Sequence, residues 1–359
     1  MNRKDRPKTS LPLPQKILLI RLRRSGDIVM TTPAIAALRR ALPQSSLTYI
    51  VEEPFRRLVE GNPDLDEVLI VPPHQGFFSF LRLIRRIRRE SYDLAIDFHG
   101  GPRASRIAWL SRAKLKAGYN LKHKGFLYDV RIPRSRQGAP VHSVENHLNL
   151  VRAAGIEVNE PWPRLTLPAA RKEETERIYK LWADHAFSGA KVVVLHVGAG
   201  NEFRDWGAQN LGELAARLAG LQGVRVVLVG ATQDVSKAEN IRKTRPAEIL
   251  SLTGKLNLIE LREVIARAVL FVGPDSGPMH IAASTRTPIV ALFGPTLPAH
   301  FAPWKAQATL IEKPLDCRPC KQRRCLTEDF RCLRSITVDE VFAACAQHLQ
   351  PTEKPAGLS

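Results

Sequence analysis

Long apolar runs are missing from this chain of 359 residues. No uninterrupted apolar stretch approaches the roughly 18–20 residues that a membrane-spanning helix needs. The basic N-terminus is followed by only four apolar residues, 17–20, before Arg21, which is too short for a secretory signal. From these two absences we expect a soluble, intracellular protein.

Acidic residues are in short supply. The chain has 54 Lys and Arg against 35 Asp and Glu, a formal net charge of +19, and residues 1–160 hold 28 of the basic residues against 15 of the acidic ones. A basic half suggests an acidic partner: nucleic acid, an anionic membrane surface, or a phosphorylated or carboxylated substrate. Strings typical of helix-turn-helix, zinc-finger or RNP modules are absent, so nucleic acid is not the expected partner.

One stretch of the first half is both basic and amphipathic. Apolar residues alternate there with arginines at helical spacing, which predicts a helix with a basic face formed by Arg82, Arg85, Arg86, Arg88 and Arg89. Such a helix either presents a solvated face or binds a membrane surface or an acidic substrate. The sequence leaves both interpretations open.

Cysteine is scarce, with five in the chain, but four of them cluster at Cys317, Cys320, Cys325 and Cys332. In a chain without a secretory signal, a metal site or free thiols fit such a cluster better than disulfides do. Four thiolates suit a structural zinc ion held tetrahedrally. The spacing lacks two well-separated Cys pairs, so zinc and reduced thiols both stay open.

Two sets of short apolar runs, each followed by turn residues and helical patterns, predict parallel α/β units. Near-continuous apolar runs such as 192–195 and 226–229 fit strands covered on both faces. We expect an α/β fold with two Rossmann-like, doubly wound domains that face a central cleft, over 1–165 and 166–335, followed by a C-terminal helix and tail over 336–359. The proline-rich stretch 160–168 is the best linker candidate. Helical patterns include 53–60 and 234–244.

Ligands of such folds bind at the carboxyl ends of the strands, where glycines cluster in this chain. The first cluster is Ser25-Gly26-Asp27, between a predicted strand and a predicted helix. Gly26 permits a tight turn, and the Asp27 carboxylate could accept a proton from a substrate hydroxyl. The alternative is that Asp27 caps the helix N-terminus.

The second cluster runs from Asp275 to His280, where a strand leads into a turn and then a helix. Pro278 suits a first helical turn, and Ser276 and Gly277 can leave backbone N–H groups free for a phosphate. P-loop and GxGxxG strings are absent, so this is a different type of anion site. Taken singly, Met279 could be a core residue and His280 a buried, hydrogen-bonded histidine.

A third group of residues follows the strands of the second half. Gly198, Ala199 and Gly200 permit close approach of a ligand to the backbone, and Arg204 offers a diphosphate a bidentate fork. The alternative for Arg204 and the nearby Trp206 is a surface arginine and a core tryptophan. Four residues at the ends of the next two strands could hold a ribose and a base: Gly230, Asp234, Thr253 and Gly254.

Taken in order, these strings resemble the ADP-heptose:lipopolysaccharide heptosyltransferase family, glycosyltransferase family 9, which has the GT-B fold. The matching stretches are 17–42, 93–103, 142–155 and 252–296, and they extend from the first strand to the last. The Gly26-Asp27 turn together with the Asp275–His280 string is highly specific. The cysteine-rich stretch 317–332 is similar to that of the second and third heptosyltransferases.

The resemblance implies an inverting transfer of heptose from ADP-heptose to the lipid A-anchored inner core of lipopolysaccharide. It implies that Asp27 is the general base and that the donor diphosphate lies against Ser276–His280, with Asp275 near the donor sugar. Arg204 falls where many members have Lys. No cofactor is required for catalysis in this interpretation, and the possible zinc ion is structural.

The resemblance also assigns the acceptor to the basic N-terminal domain and the nucleotide sugar to the C-terminal domain. Three arginines near predicted strand ends are expected to hold the acidic acceptor: Arg56, Arg57 and Arg103. We expect a monomer in peripheral contact with anionic lipids on the cytosolic face of the inner membrane. Two rivals are a nucleotide-sugar epimerase of the same fold and a non-enzymatic basic protein that binds lipid or nucleic acid.

Overall fold

The strands of the chain form two six-stranded sheets, one from each half. The structure, a computed structural model, describes residues 13–72, 76–120, 125–134, 140–184, 187 and 189–350. The predicted α/β fold with two doubly wound sheets is confirmed. Within these described ranges, no helix is both long and apolar enough to cross a membrane.

The first sheet has parallel strands in the order β3-β2-β1-β4-β5-β6. They are β1 Lys16–Ile20, β2 Ser46–Glu52, β3 Glu67–Val71, β4 Leu94–Asp97, β5 Leu115–Tyr119 and β6 Val130–Ile132. The chain winds from β1 through β2 to β3 toward one edge of the sheet, and from β4 through β5 to β6 toward the other edge. The winding therefore reverses between β1 and β4. Crevices at such a switch point bind ligands in doubly wound folds.

The second sheet repeats the same winding, in the order β12-β11-β10-β7-β8-β9. Its strands are β7 Lys191–His196, β8 Val224–Val229, β9 Ile249–Ser251, β10 Leu270–Pro274, β11 Ile289–Phe293 and β12 Ala308–Glu312. The switch point lies between β7 and β10. The residues of β10 and β11 are all buried, because helices cover both faces of the sheet.

The helices of the described residues cover both faces of both sheets. They are α1 Ser25–Val29, α2 Thr32–Ala41, α3 Phe77–Arg89, α4 Pro102–Leu110, α5 Ser143–Ala153, α6 Lys172–Asp184, α7 Ala208–Ala219, α8 Val235–Arg242, α9 Leu258–Ala266, α10 Gly277–Ala282, α11 Pro298–Phe301, α12 Arg331–Arg334 and α13 Val338–Leu349.

Two predicted helices differ from the structure in type or extent. The pattern at 53–60 forms a 3₁₀ turn over Glu53–Leu58, which ends with an i→i+3 bond from the Val59 N–H to the Arg56 carbonyl. The pattern at 234–244 is divided between a 3₁₀ turn that ends at Asp234 and α8.

The predicted linker at 160–168 is extended but packed. Leu165 is buried, and the Thr166 N–H donates to Thr32 Oγ1 at 3.1 Å. Trp304 Nε1 donates to the Pro163 carbonyl at 3.0 Å, so the stretch contacts both halves. The helix α13 packs on the second sheet through Val341 and other buried residues. The domain boundaries at 165 and 335 remain predictions.

Candidate functional site

A cavity of about 640 Å³ lies between the carboxyl ends of the two sheets. Its wall combines residues that follow β1 with residues that follow β7, β8 and β10. The predicted base, Asp27, lines it. Most of the predicted donor-binding residues line it too: Ser25, Gly26, Gly198, Ala199, Gly200, Arg204, Gly230, Asp234, Asp275, Ser276, Gly277, Pro278 and His280.

Asp27 lies in the first turn of α1, and its partner is Arg21 on the strand side of the turn. The helix is preceded by Arg24 as its N-cap residue, so the alternative of Asp27 as the cap is wrong. The Arg21 guanidinium is buried, forms an ion pair with Asp27 and donates from Nη1 to the Phe98 carbonyl at 2.7 Å.

Two opposing influences set the protonation of Asp27. Burial alone would raise the pKa of its carboxyl, but the positive charges of Arg21 and Arg134 outweigh burial and lower the pKa below its usual range. The side chain keeps 29% of its surface exposed. Asp27 is therefore an ionised carboxylate with an open face at neutral pH, as a general base needs.

The two halves make close contact where α1 meets α10. A β-carbon on Gly277 would lie 2.0 Å from Ser25 Oγ, and one on Gly26 would lie 2.7 Å from Cδ2 of the His280 ring. Real atoms do not approach so closely. Both positions therefore need glycine because the opposite half of the molecule occupies the space.

The turn after β10 presents Ser276 and the first residues of α10 to the cavity. Ser276 is the extended N-cap residue of α10, and its hydroxyl lies 3.3 Å from His196 Nδ1. Pro278 occupies the first helical turn, as predicted. Met279 is fully buried and lies outside the cavity wall, so the structure places it in the core.

Arg204 contacts Asp275, the residue before this turn. Arg204 Nη1 donates to the Asp275 carbonyl at 2.9 Å and lies 3.6 Å from its carboxylate. Asp275 Oδ2 also accepts a hydrogen bond from the Thr296 hydroxyl at 2.6 Å. Asp275 is therefore held in place by neighbours on both sides, and Arg204 is tied to the same turn.

The two cavity histidines are neutral at physiological pH. Burial lowers the pKa of His196 to about 4, and burial also lowers the pKa of His280 despite the nearby carboxylates. The Nδ1 atom of His280 is buried and has no hydrogen-bond partner among the described residues. Permanent positive charge in the second half of the cavity wall therefore comes from Arg204.

Glycines at the ends of β7 and β8 leave room for Asp234. A β-carbon on Gly198 would lie 2.2 Å from Asp234 Oδ2, and one on Gly230 would lie 3.0 Å from it. The Asp234 carboxylate accepts a hydrogen bond from the Ala231 N–H at 2.9 Å. This carboxylate is fixed at the cavity wall by the backbone, at a position where it can accept hydroxyl hydrogen bonds.

Three further predicted donor residues lie outside the cavity wall. Trp206 is buried and donates from Nε1 to the Ile336 carbonyl at 2.8 Å, so it is the core tryptophan of the alternative interpretation. Thr253 is 1% exposed, and Gly254, with φ of 73°, packs on Thr232 and Val235. Trp206 and Thr253 are therefore closed to a ligand, whereas Gly254 is exposed but lies away from the cavity.

One section of the cavity wall is apolar and was not predicted from the sequence. Its residues are suited to covering a planar ring: Met30, Phe55, Leu256, Leu258, Leu261 and Phe301. In the sequence these residues are indistinguishable from core positions. Arg24, His196 and Asn201 also line the cavity, and their position next to predicted motifs was the available signal.

A second, much smaller cavity of about 20 Å³ lies on another side of Asp27. Asp27 and Phe301 line both cavities. The Arg134 guanidinium lies 4.8 Å from the centre of the Tyr119 ring, and both residues line the small cavity. The Tyr119 hydroxyl lies 2.7 Å from Nδ1 of the buried His147.

The three predicted acceptor arginines line neither cavity. Their guanidinium groups are held in ion pairs: Arg56 with Glu60, Arg57 with Glu174 at 2.7 Å, and Arg103 with Glu52 at 3.0 Å. Their role toward an acceptor remains a prediction.

The four clustered cysteines lie on the surface of the second half with partly exposed side chains: Cys317, Cys320, Cys325 and Cys332. Among the residues that the structure describes, no group of three or more His, Cys, Asp or Glu is arranged to hold a metal ion. The structural zinc ion remains a prediction, which metal analysis of the purified protein tests.

Relatives of known identity resemble the chain over most of its length. It is 26% identical over 298 residues to lipopolysaccharide heptosyltransferase 3 of Escherichia coli, which covers 79% of this chain and 84% of the relative. It is 28% identical over 303 residues to lipooligosaccharide heptosyltransferase 2 of Haemophilus influenzae, with 80% and 85% covered.

The solved structure of the E. coli ADP-heptose lipopolysaccharide heptosyltransferase II superposes on the chain with a TM-score of 0.77. The identity is 21%, and the superposition covers 93% of this chain and 98% of the other. The model of glycosyltransferase family 9 (heptosyltransferase) matches residues 80–330, more than half of the chain. The chain therefore belongs to glycosyltransferase family 9 and is a glycosyltransferase.

Proposed function

We propose that this enzyme transfers a heptose from ADP-heptose to the inner core of lipopolysaccharide, with inversion at the anomeric carbon. The observation that carries the proposal is the shared cavity. Asp27 from the first half and Arg204 with the Ser276–His280 turn from the second half line one space. The names of the relatives, which specify lipopolysaccharide or lipooligosaccharide and ADP-heptose, support this choice of acceptor and donor.

In the proposed reaction, Asp27 accepts the proton of an acceptor hydroxyl while the hydroxyl oxygen attacks the anomeric carbon. The new C–O bond forms on the face opposite the diphosphate. The bond between the anomeric carbon and the diphosphate oxygen breaks, and its electron pair leaves with ADP. The ion pair with Arg21 keeps Asp27 in the ionised form that this step requires.

Negative charge grows on the departing ADP, and the second half of the cavity wall supplies the groups that stabilise it. The Arg204 guanidinium can form charge-assisted hydrogen bonds to the diphosphate. Ser276 and Gly277 line the same space, and their backbone N–H groups at the start of α10 are proposed to bind the diphosphate. His196 and His280 are neutral, so they contribute polarity rather than charge. No metal or cofactor takes part in the proposed step.

The acceptor hydroxyl is proposed to reach Asp27 from the side of the smaller cavity. About 20 Å³ is enough for one hydroxyl group or water molecule. Arg134 lines this cavity and adds positive charge beside Asp27. An acidic group next to the reacting hydroxyl of the acceptor would meet Arg134 there.

The enzyme is further proposed to act as a monomer in peripheral contact with the anionic cytosolic face of the inner membrane. The contact surface is the outer face of α3, which we call the α3 stripe. It consists of residues spaced i, i+4, i+7 and i+11, all of which are exposed: Phe78, Arg82, Arg85 and Arg89.

Charge and apolar exposure on this side of the domain both suit a lipid surface. The neighbouring helices α3 and α4 contain seven arginines and no acidic residue. Phe77 and Phe78, at the start of α3, are 70% and 78% exposed, whereas Ile84 and Ile87 on the opposite side are buried. Arginines would contact lipid phosphates while phenyl rings enter the interface.

A transfer assay with radiolabelled ADP-heptose and a set of truncated core acceptors tests the proposed function. We expect label to move to one acceptor and ADP to be released. A sugar nucleotide altered in the absence of any acceptor would instead indicate the epimerase. Strongly salt-sensitive nucleic-acid binding without affinity for ADP would indicate the non-enzymatic alternative.

A further inference from the structure

The side chain of Gln322, in the cysteine-rich segment, contacts the donor-site arginine. Gln322 Oε1 accepts hydrogen bonds from Arg204 Nε at 3.1 Å and from Asn201 Nδ2 at 3.1 Å. Arg204 Nη1 is fixed separately on the Asp275 carbonyl. The protein therefore holds the Arg204 guanidinium at Nε and at Nη1. Among the described residues, its Nη2 group has no acceptor.

Gln322 is itself held by its own segment. Its backbone N–H donates to Cys320 Sγ at 3.3 Å, and its φ of 53° turns the chain so that the side chain faces Arg204. The Cys320 N–H donates to the Pro295 carbonyl at 2.8 Å, which anchors the turn to the end of the second sheet. The amide of Gln322 therefore projects from a fixed turn.

The same segment also supports Asp275. Arg318 is almost fully buried and donates from Nη2 to the Thr296 carbonyl at 2.8 Å. The Thr296 hydroxyl in turn donates to the Asp275 carboxylate. The cysteine-rich segment thus supports both polar groups of the proposed diphosphate site. It holds Arg204 through Gln322, and it holds Asp275 indirectly, through the Arg318 contact with Thr296.

We propose that Gln322 is a positioning residue for Arg204, which fixes the plane of the guanidinium so that Nη2 faces the diphosphate of the nucleotide sugar. The inference rests on the proposed function, because it takes the ligand of Arg204 to be a diphosphate. A guanidinium held at Nε and at one Nη loses little rotational freedom when it binds a phosphate, which increases affinity.

Titration calorimetry with ADP and with adenosine tests the proposal. In Gln322→Met, the acceptor for Arg204 Nε is lost at nearly constant side-chain volume. We expect the dissociation constant for ADP to rise about 10-fold, the lower end of the range for hydrogen bonds to charged groups. Affinity for adenosine should not change, because it lacks the diphosphate. Lys321→Met, at an exposed neighbour without a contact to Arg204, is the matched control and should leave both affinities unchanged.

A double-mutant cycle shows whether Gln322 acts through Arg204. We expect Arg204→Met to weaken ADP binding and Gln322→Met to cause no further loss in that background. Equal weakening of ADP and adenosine, additive losses in the cycle, or unchanged ADP affinity of Gln322→Met would each overturn the proposal. Should Gln322→Met not fold, Gln322→Asn, which withdraws the amide by one carbon, serves the same cycle.

The cycle also separates this inference from the proposed function. If Arg204→Met itself binds ADP as tightly as the unaltered enzyme, the proposed donor site is wrong. If Arg204→Met weakens ADP binding and Gln322→Met does not, the donor site stands and only the positioning role is wrong.

Discussion

Arg21 and Asp27 form an ion pair in which the guanidinium is buried and the carboxylate keeps an open face toward the cavity. The pairing uses one side of the carboxylate and leaves the other available to a substrate hydroxyl. It also keeps the carboxylate charged in surroundings that would otherwise favour its protonated form. In the proposed reaction, Arg21 keeps Asp27 ready to accept a proton, and Arg21 itself lines neither cavity.

Replacing Asp27 with Asn should remove the base and leave the donor site in place. We expect the rate of transfer to fall by about 10²–10⁴, the usual contribution of a general base, while ADP binding changes little. Transfer assays and ADP titration on the same preparation measure the two effects. Full transfer activity in this variant would refute the assignment of the base.

The pH dependence of transfer should report the ion pair. Asp27 acts in its ionised form, and its pKa is lowered from 3.8, so its contribution is lost only as the pH falls below that value. In Arg21→Gln, fewer positive charges oppose the effect of burial, so the pKa of Asp27 should rise. The acid limb of kcat/KM should therefore move to higher pH. A profile measured from about pH 4 to 8 should be flat on its acid side for the unaltered enzyme and should show an acid limb for the variant. An unmoved acid limb would contradict the role of Arg21.

Gly277→Ala should separate the two halves of the site. The added β-carbon would lie 2.0 Å from Ser25 Oγ, so that hydroxyl must turn away. It would also lie 3.3 Å from the Gly26 backbone nitrogen, so α1 and α10 must shift slightly apart. We expect transfer to fall by on the order of 10-fold, less than the roughly 100-fold loss that a misplacement of about 1 Å can cause. Gly76→Ala, where nothing lies within 4 Å, is the matched control. Ser25→Gly in the same chain removes the clashing hydroxyl and should restore part of the activity.

Arg134 and the predicted acceptor arginines can be distinguished by acceptor kinetics. Arg134→Gln should raise the KM for the acceptor about 10-fold and leave the KM for the donor unchanged, since a charged hydrogen bond contributes about 1.5–3 kcal/mol. Arg56→Gln should have a smaller effect because its guanidinium is paired with Glu60. The reverse order of effects would favour the acceptor residues expected from the sequence.

Removal of charge from the α3 stripe should release the enzyme from anionic vesicles. In the triple variant Arg82→Gln, Arg85→Gln and Arg89→Gln, we expect binding to phosphatidylglycerol-containing vesicles to fall by roughly 100-fold, since each cation contributes about 1 kcal/mol. Phe77→Ser with Phe78→Ser should also weaken binding. Transfer to a soluble, deacylated acceptor should persist in both variants.

A matched control for the α3 stripe comes from the second half of the chain. Lys172→Gln, Lys180→Gln and Arg286→Gln remove the same charge from exposed positions. This triple variant should bind vesicles as the unaltered enzyme does. Equal losses in both triple variants would show that net charge, rather than the α3 stripe, governs membrane contact.

The sequence predicts the fold well because its signals are local. Runs such as Val226–Val229 are apolar without interruption, which only a strand covered on both faces requires. Gly26 and Gly277 lie in the first turns of the short helices that follow β1 and β10, and the structure brings them together. Their mutual contact is not visible in the sequence, because it joins positions that are about 250 residues apart.

The sequence does not show which of two possible roles, in the core or at the ligand site, some side chains have. Trp206 and Met279 are among the predicted donor-binding residues, but both are buried in the core. Trp206 lies in the loop before α7, and Met279 lies in α10. Arg21 and Gln322 carry no motif of their own. Their roles depend on partners from distant segments, which only the packed structure identifies.

The repeated winding of the two sheets places the proposed proton acceptor in one half of the molecule and the proposed phosphate site in the other. Any rotation that widens the gap between α1 and α10 takes Asp27 away from the bound sugar nucleotide. A donor held by the second half alone would then lack the proposed base to activate a water molecule. We therefore expect a donor bound by this enzyme to be hydrolysed only slowly when α1 and α10 are apart.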